Sequence, residues 1–166
     1  MDKRSMNLMA SFGARIPAGS KVLDVGSRIA DGQTDTFRSL FAHCKYTGAD
    51  IQEGPNVDVV LDDPWAWDLP HESYDVVISG NTLEHVAYPW VTMQQIKQVL
   101  KPDGWVCIIV PHRWPIHQHP IDCWRFLPDG MAALGEWVGL NLLQDPEIYE
   151  VNQDEAHIMA IYQRTV

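Results

Sequence analysis

Between His112 and Phe126 the chain reads HRWPIHQHPIDCWRF, which gathers three imidazoles, the Asp122 carboxylate, two indoles and the Arg125 guanidinium into fifteen residues. Imidazoles titrate near neutrality, so His117 and His119 are candidate general bases and Asp122 a candidate to orient either one. His117, His119 and Asp122 are also ligand types for zinc or iron. Their spacing is poor for that purpose: H-x-H presents both rings on one side only in an extended segment, and Pro115 and Pro120 make this one irregular. No metal site is expected. The bland alternative is a proline-stiffened loop in which His and Trp pack and Arg125 pairs with a local carboxylate.

A second group of chemistry-bearing residues lies in VLDVGSRIADG (22–32), where Asp24 precedes Gly26 and Gly32 follows six residues later. A dinucleotide pyrophosphate needs an uncluttered glycine loop. An acid here repels phosphate and attracts a cation or a hydrogen-bond donor, which points to a ligand carrying ammonium or sulfonium charge. Asp50, 24 residues after Gly26, stands where such folds place an acid that accepts from both ribose hydroxyls. Asp62 and Asp63 follow beside Trp65 and Trp67, residues suited to an adenine edge and face, although tryptophans in such places more often pack in a core or rim.

The elements that must position these groups are legible as short apolar runs: 21–25, 45–51, 56–61, 74–79 and 105–110, rich in Val and Ile and bounded by Gly, Pro, Asn or Asp. Runs this continuous suggest strands covered on both faces. Between them Phe37, Leu40 and Phe41, then Met93, Ile96, Val99 and Leu100, recur at helical spacing. KPDG (101–104) is expected to end that second helix and turn the chain. Pro128 opens a third helix through Met131, Leu134 and Val138, and runs near 140–151 and 156–163 read as a closing strand pair. Such alternation implies an α/β domain with a mostly parallel sheet that binds ligands beyond the strands' carboxyl ends. The loops starting at Gly26, Asp50, Asp62, Ser79 and Val110 share that edge, and the histidine-rich stretch is among them.

The 166 residues, 46% apolar, suffice for one domain with a real core. A formal charge of -10 disfavours nonspecific binding to nucleic acid or anionic lipid, and no apolar run approaches the roughly 20 residues of a membrane span. Cys44, Cys107 and Cys123 lack C-x-x-C spacing and fit reduced thiols, so a cytoplasmic protein is expected.

Three segments resemble the class I S-adenosylmethionine-dependent methyltransferases, methyltransferase type 11 group: VLDVGS, GADI, and SYDVVISGNTLEHV followed by VLKPDGWVCIIVP. The resemblance implies a Rossmann-like fold with a seven-stranded sheet in the order 3-2-1-4-5-7-6, its C-terminal hairpin placing strand 7 antiparallel, and helices on both faces. It implies S-adenosyl-L-methionine as cofactor and S-adenosyl-L-homocysteine as product. Asp24, Val25, Gly26, Ser27 and Arg28 would line the methionine moiety, Asp50 and Ile51 the ribose, and Asp62 or Asp63 the adenine. Asn81, Leu83 and Glu84 would border the methyl-transfer face. The family's usual G-x-G-x-G is here Gly26-Ser27-Arg28-Ile29-Ala30-Asp31-Gly32, with larger side chains where backbone approaches cofactor. Arg28 must fold away or pair with the cofactor carboxylate for binding to survive.

HxxPxDxxRFxPxG (His117–Gly130) also resembles a stretch that follows the fifth strand in many members of this group encoded near glycan and natural-product genes. It implies a small, sugar-type acceptor; the residues expected to contact it are His85, His112, Trp124 and Arg125, and those expected to be catalytic are His117, His119 and Asp122. The expected organisation is a single methyltransferase domain over 1–166: a helical segment (1–20), a cofactor-binding core (21–111), an acceptor-side loop (112–127), and a C-terminal helix and strand pair (128–166). So short a chain leaves the acceptor site open or completed by a second copy in a homodimer. The competing expectation, raised by the altered glycine loop, is a binding or scaffold protein that keeps the fold without turnover. A nicotinamide-dependent dehydrogenase lacks its glycine fingerprint here.

Overall fold

Strand side chains alternate faces, and here nearly every strand position is apolar, so the sheet needs cover on both sides. The computed structural model describes residues 2–30 and 34–165; Asp31 and Gly32, the end of the first loop, lie outside the described residues. The strands are β1 (Lys21–Val25), β2 (Lys45–Asp50), β3 (Val59–Val60), β4 (Tyr74–Gly80), β5 (Leu100–Arg113), β6 (Asn141–Leu142), β7 (Glu147–Glu150) and β8 (Ala156–Gln163), with helices α1 (Lys3–Gly13), α2 (Pro89–Val99) and α3 (Pro128–Val138). Their order is β3-β2-β1-β4-β5-β8-β6, with β7 also on β8. The first five pair in parallel and β8 runs antiparallel to β5, β6 and β7. Because β6 and β7 follow one another along β8, they act as one interrupted strand, and the order is the expected 3-2-1-4-5-7-6.

Residue parity sorts the core into two layers. Leu23, Val25, Val77, Val106, Ile108, Val110, Ile158 and Tyr162 face Met93, Ile96 and Val99 of α2 and Met131 and Val138 of α3. Val22, Val76, Ile78, Cys107, Ile109, Met159 and Ile161 face Leu8, Met9 and Phe12 of α1 together with Phe37 and Phe41. At about 0.8 kcal/mol per buried methylene, these two layers supply the main favourable term in folding. Cys107 is fully buried and packs as a small apolar residue, as its setting in the sequence suggests.

Local structure departs from the sequence pattern in four places. The pattern around Phe37 closes only a 3-10 turn, Phe37–Phe41. The run 56–61 narrows to the two residues of β3, since that edge strand has only β2 to pair with. Leu100 leaves the helical pattern and begins β5. KPDG does not sit outside the strand: it bulges within β5, where Tyr74 pairs with Leu100 and Val76 with Trp105, and Asp103 takes the left-handed turn (φ 62°).

Candidate functional site

At the carboxyl end of β1, Gly26 has φ 79°, and a Cβ there would lie 2.1 Å from Thr82 Oγ1. Only glycine allows this left-handed backbone and so close an approach. The Gly26 and Ser27 amides both donate to the Ala49 carbonyl, and the Ser27 hydroxyl donates to the Asn56 carbonyl. The loop is thereby stitched to the end of β2. There Asp50 accepts from the backbone N–H of Arg28 (3.1 Å) and of Gln52 (3.0 Å), which leaves lone pairs for a further donor. Ile51 beside it is 52% exposed. Arg28 takes the folded-away arrangement: its side chain lies along Gly54, with Nε donating to the Glu53 carbonyl at 3.4 Å.

Asp24 is nearly inaccessible, and Tyr46 donates its hydroxyl to one of its oxygens. Burial pushes its carboxyl up to about 7, against the opposing effect of the Tyr46 hydrogen bond. The carboxylate therefore braces the loop from beneath. Asp62 and Asp63 are exposed, Asp63 accepting from the Trp65 amide. Trp67 is buried in the α2 layer, its Nε1 donating to the Pro64 carbonyl, so its face is unavailable for stacking; Trp65 packs against Tyr88 with ring centroids 5.1 Å apart.

After β4 the chain folds into a 3-10 turn, Leu83–His85. Asn81 adopts φ 54°, sends its backbone N–H to Ile109 and its Nδ2 to Ser5 Oγ, and leaves Oδ1 buried without a partner among the described residues. Leu83 is wholly in the core and offers a ligand only its backbone. Glu84 is fully buried, yet neither carboxylate oxygen has a hydrogen-bond partner among the described residues. Burial pushes this carboxyl up to about 8. His85 lies beside it with Nε2 3.7 Å from Glu84 Oε1, while its Nδ1 donates to the Ile121 carbonyl at 2.6 Å.

That last bond ties the turn to the histidine-rich loop. Cys123 and Trp124 donate their amides to the Glu84 carbonyl, and the Trp124 indole donates to Val86. The rings of His117 and His119 stand 4.8 and 5.4 Å from that of His85. His117 Nδ1 donates to the Pro115 carbonyl (3.1 Å), which leaves Nε2 as the lone-pair nitrogen. His112 lies apart from this cluster's bonding, its Nδ1 on the Phe126 carbonyl.

Arg125 and Asp122 pair with each other. Arg125 donates to Asp122 from both terminal nitrogens and to the carbonyls of Trp114, Pro115 and Trp124, which consumes all five of its N–H groups. No donor is left for an acceptor. The Asp122 side chain is 2% exposed, also accepts the His117 amide, and stands 3.6 Å from His117 Nδ1, beyond a hydrogen bond. Arg125 holds its carboxyl well below the usual range. This pair shapes the loop, and Asp122 affects His117 through the backbone. It also removes Asp122 from the ligand set weighed with His117 and His119.

Sequence reasoning missed Thr82, Tyr46 and Asn56. Tyr46 was accessible from strand parity, because it pairs with Val22 and so shares a face with Asp24. Asn56, at φ 72°, sits in GPNVD, an ordinary turn signal, and locks the loop by donating Nδ2 to the Ser27 carbonyl. Nothing in the sequence announces the contact between Thr82 and Gly26.

Residues 1–142 match the model of a family described as "Methyltransferase domain". No curated protein sequence matches the chain. Among solved structures it is similar to a candidate methyltransferase from Bacillus halodurans (TM-score 0.75, 11% identity, covering 97% of this chain and 99% of that one). It is also similar to the Burkholderia thailandensis 1,6-didemethyltoxoflavin-N1-methyltransferase with bound 1,6-didemethyltoxoflavin and S-adenosylhomocysteine (0.78, 16%, 99% and 80%). A third is the [4+2]-cyclase SpnF (0.74, 14%, 98% and 80%). At these identities the likenesses establish the fold alone.

Proposed function

Since the chain belongs to the methyltransferase-domain family, whose members use S-adenosylmethionine, we propose that it transfers a methyl group to O or N of a small, sugar-type acceptor. The observation that carries this reading is the cradle at the ends of β1 and β2. Gly26 is wedged against Thr82, and Asp50 gathers two backbone N–H groups beside it while keeping lone pairs free. Such a cradle fits the cofactor, with Asp50 and Ile51 at the ribose, the Val25–Arg28 backbone and the Asp24 it rests on at the methionine end, and Asp62 or Asp63 at adenine. Asn81 and Glu84 border the reactive end.

When bound, S-adenosylmethionine supplies an electrophilic methyl group and leaves as S-adenosylhomocysteine. The protein's part is to align the acceptor in line with that group, exclude water and remove the acceptor's proton. Loop 112–127 serves as the acceptor-side wall, Trp124 and His112 contribute contact surface, and an imidazole of His117 or His119 takes the proton. His85, whose side chain is 11% exposed, adds a substrate contact. The chain acts as one catalytic unit.

Calorimetric titration with S-adenosylmethionine and S-adenosylhomocysteine tests the reading. Binding of both is expected, weakened by at least about tenfold in Asp50→Ala, which removes the ribose acceptor. No detectable binding of either ligand would overturn it. A second reading, a methyltransferase-like binding or scaffold protein, is favoured by the Ser27 and Arg28 side chains in a loop usually kept to glycine. Cofactor binding without turnover of any tested hydroxylated or amine acceptor would support it.

A further inference from the structure

The geometry points to a divalent transition-metal site formed by Glu84, His85 and His117 where the turn after β4 meets the histidine-rich loop. One ligand atom from each lies within 4.8 Å of the other two. In a bound tetrahedral site with metal–nitrogen distances near 2.0–2.1 Å, neighbouring ligand atoms stand about 3.3 Å apart. A closure of roughly 1.5 Å at most by three side chains, one of them on a loop, completes the set.

Two independent observations support it. Glu84 is fully buried and both its oxygens lack a hydrogen-bond partner among the described residues, an arrangement that is costly unless a cation or donor completes it. The two imidazoles are already set in the ligating tautomer. His85 Nδ1 donates to the Ile121 carbonyl and His117 Nδ1 to the Pro115 carbonyl, so in each ring Nε2 is the lone-pair nitrogen. A carbonyl on the far nitrogen is the usual outer support of a metal-bound histidine. The loop carrying those carbonyls is itself held rigid by Arg125 and Asp122.

Two imidazoles and one carboxylate, with no thiolate, suit zinc or iron(II) and leave coordination positions open. His119, whose ring lies 5.8 Å from that of His117, is near enough to serve as a fourth ligand or to remain the base. On the methyl-transfer reading, a bound cation would offer an open position to the acceptor oxygen and lower its pKa, with His119 as the base and His117 as a ligand. Metal binding itself does not depend on that reading.

Metal-free protein titrated with Co2+ alone, without S-adenosylmethionine, tests the site. We expect one equivalent to bind with visible d–d absorption displaceable by Zn2+. Affinity should fall by more than about 100-fold in His85→Ala and in His117→Ala, exceeding the loss typical of an outer-shell partner. Glu84→Gln, which keeps shape and removes charge, should weaken it comparably, with unchanged far-UV circular dichroism showing that the variant folds. His71→Ala, at an exposed site outside the cluster, should bind normally. Absence of stoichiometric binding to the parent protein, or binding indifferent to His85→Ala and His117→Ala, would overturn the proposal. Because cofactor calorimetry is a separate measurement, failure of either reading is recognised without the other.

Discussion

At Asp24 a buried carboxylic acid sits under the loop that follows β1, with Tyr46 bonded to it and Asp50 and Arg38 as the charges that bear on it. Its folded pKa of about 7 lies above the ordinary value of 3.8, so the folded state holds this proton where the unfolded chain has lost it. The contribution is complete below pH 3.8 and is lost as pH rises towards 7 and beyond. Asp24→Asn should therefore flatten the fall in stability between about pH 4 and pH 8, read as the difference in urea midpoint between parent and variant. An identical pH profile in the two proteins would refute burial as the cause. Gly26 makes a second prediction at this scale. Alanine there must adopt φ 79° and push Thr82 aside, so Gly26→Ala should cost about 2 kcal/mol or more in urea unfolding and weaken S-adenosylmethionine binding.

Among the elements, the loop between β5 and α3 is held by one guanidinium more than by packing. Ile116 is 88% exposed and His119 is open to solvent, yet Arg125 gathers three carbonyls and a carboxylate around itself. Lysine has neither the fork nor the donors to replace it. Arg125→Lys should raise hydrogen exchange at the amides of His117 and Cys123 while leaving β4 and β5 protected, measured by mass spectrometry. Equal protection in both proteins would mean that the loop is held by other contacts. The same loop shows where sequence stops being informative. The five parallel strands were legible because sheets covered on both faces need near-continuous apolar runs, and β8 because its run is as uniform. The bulge at KPDG was not, since Pro and Gly mark a turn without saying whether it interrupts a strand or ends one. In the site, residue types were legible and pairings were not. Asp122, a candidate to orient either His117 or His119, is paired with Arg125, and Glu84 meets His117 across 33 residues that fold back through Cys123 and Trp124.

Across the whole molecule, a chain of polar contacts joins the N-terminus to the site edge. Asp2 caps α1 by accepting from the Arg4 and Ser5 amides, and accepts as well from buried His157 on β8. Ser5 Oγ then contacts both His157 and Asn81 Nδ2, so α1 is clamped to β8 and to the residue that follows β4. His157 also stacks on Trp114 of the histidine-rich loop, with ring centroids 4.8 Å apart. One carboxylate thus supports the packing of Leu8, Met9 and Phe12 on the sheet and the placement of two site segments. Burial alone would raise the Asp2 carboxyl, but hydrogen bonds from His157 and Ser5 outweigh it and hold the group well below the ordinary 3.8. Its stabilisation is therefore present above pH 3.8 and lost as pH falls below that value. Asp2→Ala should cost about 1–2 kcal/mol at neutral pH, the size of a lost N-cap, and the cost should shrink under acid. Because the clamp reaches Asn81, the variant should also bind S-adenosylmethionine less tightly at a temperature where it remains folded. A stability loss with unchanged cofactor affinity would confine Asp2 to the helix it caps and separate the N-terminal clamp from the site.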